Sequence, residues 1–120
     1  MEAIMRDDLL ALVEREVLGW PGVGKDTGRP GCTVYRFGRR EIGHVHRDGV
    51  ADLPFPKTVH DELIRAGEAA PHRAGFPGYV SYHVQAPEDV PGAVELFRRN
   101  YERARKSAGR RASRSFNDTA

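Results

Sequence analysis

The stretch CTVYRFGRREIGHVHRDGVADL, residues Cys32–Leu53, decides the fold. Cys32 to Phe37 is β-branched and aromatic, Gly38-Arg39-Arg40 turns the chain, and Glu41 to His46 is extended again. Asp48-Gly49 is a second turn signal, and Val50 to Leu53 makes a third short strand. Connections this short join antiparallel neighbours, so the segment reads as a meander.

Helical patterns lie on both sides of it. Ile4 to Leu18 carries Leu9, Leu12, Val13 and Val17 at helical spacing, with Asp7 and Asp8 near the positive end of the helix dipole and Gly19 as its stop. After the meander, Pro56 suits the first position of a helix through Ala66, with Val59 and Leu63 inward and Gly67 ending it. Tyr79 to Val84 alternates at period two and predicts a fourth strand. Val90, Val94, Phe97, Tyr101 and Ala104 then form the stripe of a core-facing helix within Pro87–Lys106; Pro91 and Gly92 suggest a start a few residues in.

The resulting order is α-β-β-β-α-β-α. Runs of strands without strict βαβ alternation predict an α+β fold, a mostly antiparallel sheet of about four strands with helices packed on one face. A chain of 120 residues has room for one domain with a self-sufficient core. Residues 1–106 are expected to form that domain and residues 107–120, SAGRRASRSFNDTA, a basic disordered tail.

The net charge of +2 conceals an asymmetry. Residues 98–120 hold eight of the 19 Lys+Arg and two of the 17 Asp+Glu, so the body is acidic and the tail basic. A basic tail with few aromatics supports only weak, salt-sensitive contact with nucleic acid and argues against a sequence-reading role. No stretch approaches the ~20 apolar residues of a membrane span. One cysteine, Cys32, cannot form an intramolecular disulfide, and no secretory pattern stands at the start, so a cytoplasmic protein is expected.

Two motifs deserve a chemical reading. Gly19-x4-Gly24-Lys25 has phosphate-loop spacing, but Asp26 stands where Ser or Thr should hold magnesium, and the loop leaves a helix instead of opening one. It reads as a glycine loop. His44 and His46 are the stronger signal: residues i and i+2 of a strand share a face, here expected to be the face of Ile42. Their spacing suits a divalent metal as well as acid–base or ligand-positioning work.

His83, with Tyr79 and Ser81, falls on the sheet face away from Val80, Tyr82 and Val84, where it could converge with the first two histidines. Asp52 could orient one imidazole through its second ring N–H. His72 is a further candidate ligand, and Pro54-Phe55-Pro56 a rigid plug at the sheet edge. Cys32 could act as a nucleophile beside His44 or His46, yet without a helix N-terminus or Arg cluster a buried inert thiol is the better reading.

The sequence E41-I-G-H-V-H46, D52-L-P-F-P56, Asp61-Glu62-Leu63, Gly67, Pro71-His72, Val80-Ser81 and Tyr101-Glu102-Arg103-Ala104 resembles the luciferase-domain family, small bacterial proteins grouped with the fungal luciferases. The resemblance runs from about Val17 to Arg105. It implies a scaffold that binds a small phenolic or pyrone-like substrate and lets it react with O2 without an organic cofactor.

Taken with that resemblance, the expected catalytic set is His44, His46, Asp52 and His83, with Tyr79, Ser81, Tyr82, Phe55 and His72 contacting substrate. No cofactor is expected beyond a divalent metal that His44 and His46 could hold. The alternative is a non-catalytic module whose same face holds a ligand or an ion, or pairs two copies of the chain as a homodimer.

Overall fold

The computed structural model describes residues 5–118. Helix α1 (Arg6–Leu18) leads into β1 (Val23–Thr27), β2 (Cys32–Phe37), β3 (Arg40–His46) and β4 (Val50–Pro54); α2 (Lys57–Arg65), β5 (Ala70–Pro71), β6 (Tyr79–His83) and α3 (Val90–Asp118) follow. One sheet has the order β1-β2-β3-β4-β6-β5, with every pair antiparallel. The class is α+β, as the meander predicts.

Six strands stand where about four are expected. Strand β1, VGKDT, arises inside the glycine loop and is held by pairing with Thr33–Phe37 of β2. Its polar, mostly exposed residues lack the alternation that identifies a half-buried strand, because it lies at the sheet edge. Strand β5 is only two residues long and closes the opposite edge against β6.

The start of α3 also differs: a 3-10 turn over Pro87–Asp89 runs directly into a helix beginning at Val90, which accommodates Pro91 in its first turn. The Asp89 carboxylate accepts the backbone N–H groups of Gln85 and Ala86 at this entry. At the other end α3 continues through residues 107–118, the segment expected to be disordered. That segment lacks a core stripe but carries three Arg and two Ala, good helix formers on composition alone.

One side of the sheet carries the core. Leu9, Val13 and Val17 of α1 meet Ala93, Leu96, Phe97, Tyr101 and Ala104 of α3 over Tyr35, Ile42, Val45, Leu53, Val80 and Val84; Leu12 of α1 is left exposed. Tyr35 meets Phe97 edge-on, and Trp20 lies against Tyr101. The buried Asn100 amide donates to the carbonyls of Ile42 (3.0 Å) and Pro54 (2.7 Å), fixing α3 to β3 and β4 at once.

Gly43 lets that helix come close: a Cβ there would stand 2.5 Å from Phe97 Cε1. A turn with Gly49 at φ +95° joins β3 to β4, with Asp48 Oδ1 accepting the Val50 N–H.

Candidate functional site

Strand register places the chemistry on the other side of the sheet. Directly paired residues point the same way, and Val34, His44, Asp52, Ser81 and Ala70 form one row across β2, β3, β4, β6 and β5. The central strand β4 thereby carries Asp52 between His44 on one side and Ser81 on the other.

A β-bulge completes the local arrangement. Tyr35 pairs with Gly43 but Arg36 pairs with Glu41, so Ile42 is the extra residue of β3. Ile42 turns into the core, fully buried, instead of sharing the histidine face as the plain alternation predicts. Glu41 takes the place beside His44, its Oε2 2.8 Å from His44 Nδ1.

His72 arrives by a different route. The chain between β5 and β6 folds back over the sheet, where the Arg73 N–H donates to Ser81 Oγ and the Arg73 guanidinium pairs with Asp48 at the β3–β4 turn. His72 is thereby held over Asp52, with its ring edge-on to both Tyr79 and Phe76.

All of this converges on one carboxylate. Asp52 is 0% exposed, and its Oδ2 lies 2.8 Å from His46 Nε2 and 3.3 Å from the Nε2 atoms of both His44 and His72. Its Oδ1 accepts the Ser81 hydroxyl at 2.6 Å. Burial opposes ionisation of Asp52, but the contacts from His44, Ser81 and His46 and the charge of His72 outweigh it, holding the carboxyl far below the usual range.

The second nitrogen of each ring distinguishes the three imidazoles. His44 faces Asp52 with Nε2 and Glu41 with Nδ1; these two carboxylates, Asp52 first, raise it against the effect of burial to about 9. It is therefore an imidazolium at neutral pH. His72 Nδ1 accepts the Ala74 N–H at 3.0 Å, so the ring turns its N–H at Nε2 toward Asp52.

His46 turns its Nε2 to Asp52, and its Nδ1 has no hydrogen-bond partner among the described residues. No unpartnered side-chain N or O atom is buried among those residues, so this nitrogen is open to solvent. The His46 side chain is 31% exposed against 18% for His44 and 9% for His72.

Of the residues singled out from sequence, His44, His46, Asp52, Ser81, Tyr79 and His72 assemble around this carboxylate. Phe55 is buried, and with Tyr79 and Glu41 it lines an adjoining cavity of about 370 Å³.

Two of the singled-out residues stand apart. His83 lies in the next row, where the buried Val50 separates it from His46, and it is exposed. Tyr82 points to the helix side, against Gly92 of α3, as strand alternation requires of the residue after Ser81. Glu41 is the site residue that the sequence reading missed; only the bulge brings it round.

Cys32 pairs across β2–β3 with His46, and Cys32, His44 and His46 each bring one ligand atom within 4.8 Å of the other two. Burial first, then the Glu41 and Asp52 charges, raise the thiol's pKa, which keeps it protonated and disfavours it as nucleophile.

A family model described as Luciferase domain matches residues 39–100. The chain belongs to the luciferase-domain family. The matched span holds the entire Asp52 cluster, from Glu41 to Ser81, whereas Cys32 precedes it. No curated protein and no solved structure matches the chain.

Proposed function

We propose that this luciferase-domain protein binds a small phenolic or pyrone-like molecule over the Asp52 face and, as an oxygenase-type enzyme without an organic cofactor, prepares it for reaction with O2. The observation that carries this reading is the division of labour among the three imidazoles, with His46 Nδ1 the open one. A carboxylate that fixes one ring N–H and leaves the other nitrogen basic is the arrangement of a general base.

In this reading His46 takes the proton of the substrate hydroxyl, and the His44 imidazolium offsets the charge left on the ring. Tyr79 flanks His44, with ring centroids 5.8 Å apart, and supplies an aromatic wall. Burial, with the Glu41 carboxylate nearby, pushes the Tyr79 phenol up, so it stays protonated and donates. An electron-rich, deprotonated ring is the form that meets O2.

Oxygen uptake by the purified protein with a panel of hydroxylated styrylpyrones, catechols and hydroxycinnamic acids tests the proposal. Uptake should fall about 10²–10⁴-fold in His46→Ala, the usual worth of a positioned base. Uptake unchanged by that substitution, or absent throughout the panel, contradicts it.

A second reading, a non-catalytic ligand- or metal-binding module, draws on the closeness of the Cys32, His44 and His46 ligand atoms. Stoichiometric zinc, iron or copper in the purified protein, lost in the His44→Ala/His46→Ala variant, would favour it.

A further inference from the structure

The cavity beside the Asp52 cluster has a charge character that proton abstraction does not explain. It is an open cleft of about 370 Å³ whose walls include Arg40, Glu41, Phe55, Tyr79, Asn100 and Arg103. Two of its wall residues, Glu41 and Tyr79, also flank His44, so the cavity opens directly beside the imidazoles.

Arg40 and Arg103 reach it from different elements, the start of β3 and the middle of α3. Neither forms an ion pair with a carboxylate among the described residues, whereas Arg36, Arg73, Arg98, Arg99 and Arg105 each do. The acid within the cavity wall, Glu41, is engaged by the His44 imidazolium.

Arg103 is also held in place. Asn100 Oδ1 accepts from its Nη1 at 2.9 Å, and the same Asn100 amide is anchored to the β3 and β4 backbones. A guanidinium so oriented loses little freedom on binding a planar anion. Burial first, then the charges of Arg40 and Arg99, lowers the Arg103 pKa, as expected of a partly buried guanidinium beside other cations.

We propose that Arg40 and Arg103 bind a carboxylate on the substrate, so that the molecule entering this cavity is a hydroxylated aromatic acid and not a neutral phenol. The carboxylate lies against the two guanidiniums, the ring passes Tyr79, and the hydroxyl is delivered toward His44 and His46. This rests on the substrate-binding role of the Asp52 face but assigns a separate group, the anion-binding end, to separate residues.

Calorimetric titration with 4-hydroxycinnamate and with its methyl ester tests it, since the two differ only in the charge at one end. The native protein should bind the acid at least tenfold more tightly than the ester. Arg40→Gln, at an exposed position, and Arg103→Gln should each reduce that preference, and the double variant should abolish it while leaving ester affinity within twofold. Thermal melts check that each variant is folded, and Arg40→Lys should restore part of the preference.

His46→Ala should keep the preference for the acid, because it touches only the hydroxyl end. A preserved preference with unaltered oxygen uptake in that variant sinks the proton-abstraction reading and leaves the anion site standing. Equal affinity for acid and ester in the native protein, no binding of the acid, or a preference that survives the double substitution overturns the anion site.

Discussion

The two faces of the sheet are built from the same strands but held by different physics. On the helix side, Ile42, Val45, Leu53 and Val80 pack against Phe97, Leu96 and Tyr101, and the contact is mostly apolar, with polar points at the Asn100 clamp and at the Tyr35 hydroxyl, which donates to Glu14. On the other, a buried carboxylate is satisfied by three imidazoles and a hydroxyl. The first face tolerates imprecise chemistry as long as volume is kept. The second depends on charge, because an ionised carboxylate out of water survives only if it is paired.

The largest effect that separates them is expected at Asp52. Asp52→Ala leaves three imidazoles facing an empty site and should cost about 3–5 kcal/mol in urea unfolding, comparable to removing a large core side chain. A loss below about 1 kcal/mol would mean that the histidines repack and the carboxylate organises nothing.

Gly43→Ala tests the helix side from the neighbouring residue. Its new methyl would press on Phe97, and overpacking of this kind should cost about 1–3 kcal/mol. The imidazole nitrogen shifts of His44 should not move. If they change as much as the stability does, the two faces are not independent.

A smaller effect is expected from pH. The folded protein holds His44 above its ordinary 6.5, at about 9, so its contribution to stability is complete below pH 6.5 and is lost as pH rises through 9. Asp52 works in the opposite sense: its depressed pKa stabilises the fold above about 3.8 and loses effect as pH falls below that. Urea midpoints should therefore be highest between about pH 4 and 6.5, with a decline toward pH 9 that disappears in His44→Gln.

The sequence made much of this legible where local pattern and tertiary role agree. Alternation from Cys32 to Leu53 gives the two adjacent pairings β2–β3 and β3–β4, and the i, i+2 rule puts His44 and His46 together. Membership of the family adds weight to the Asp52 context. The failures have specific causes. Strand β1 is an edge strand whose pairing with β2, not its composition, makes it extended.

The bulge at Ile42 shifts alternation by one residue, which no single-strand pattern records, and it exchanges Ile42 for Glu41 beside His44. His83 lies on the correct face but behind Val50, while His72 reaches the cluster through a loop return that periodicity does not describe. Two histidines on one face were thus readable and His72 was among the candidates, whereas its placement over Asp52 and the second carboxylate depended on tertiary structure.

The most direct test of the Asp52-centred account is long-range 15N NMR of the imidazole rings between pH 5 and 10. His44 should remain doubly protonated past pH 8, whereas at that pH the tautomer of His72 and of His46 should be the one with its N–H at Nε2. A His44 ring that loses its proton near pH 6.5, or a His46 whose proton sits on Nδ1, would contradict the arrangement on which the proposed chemistry depends.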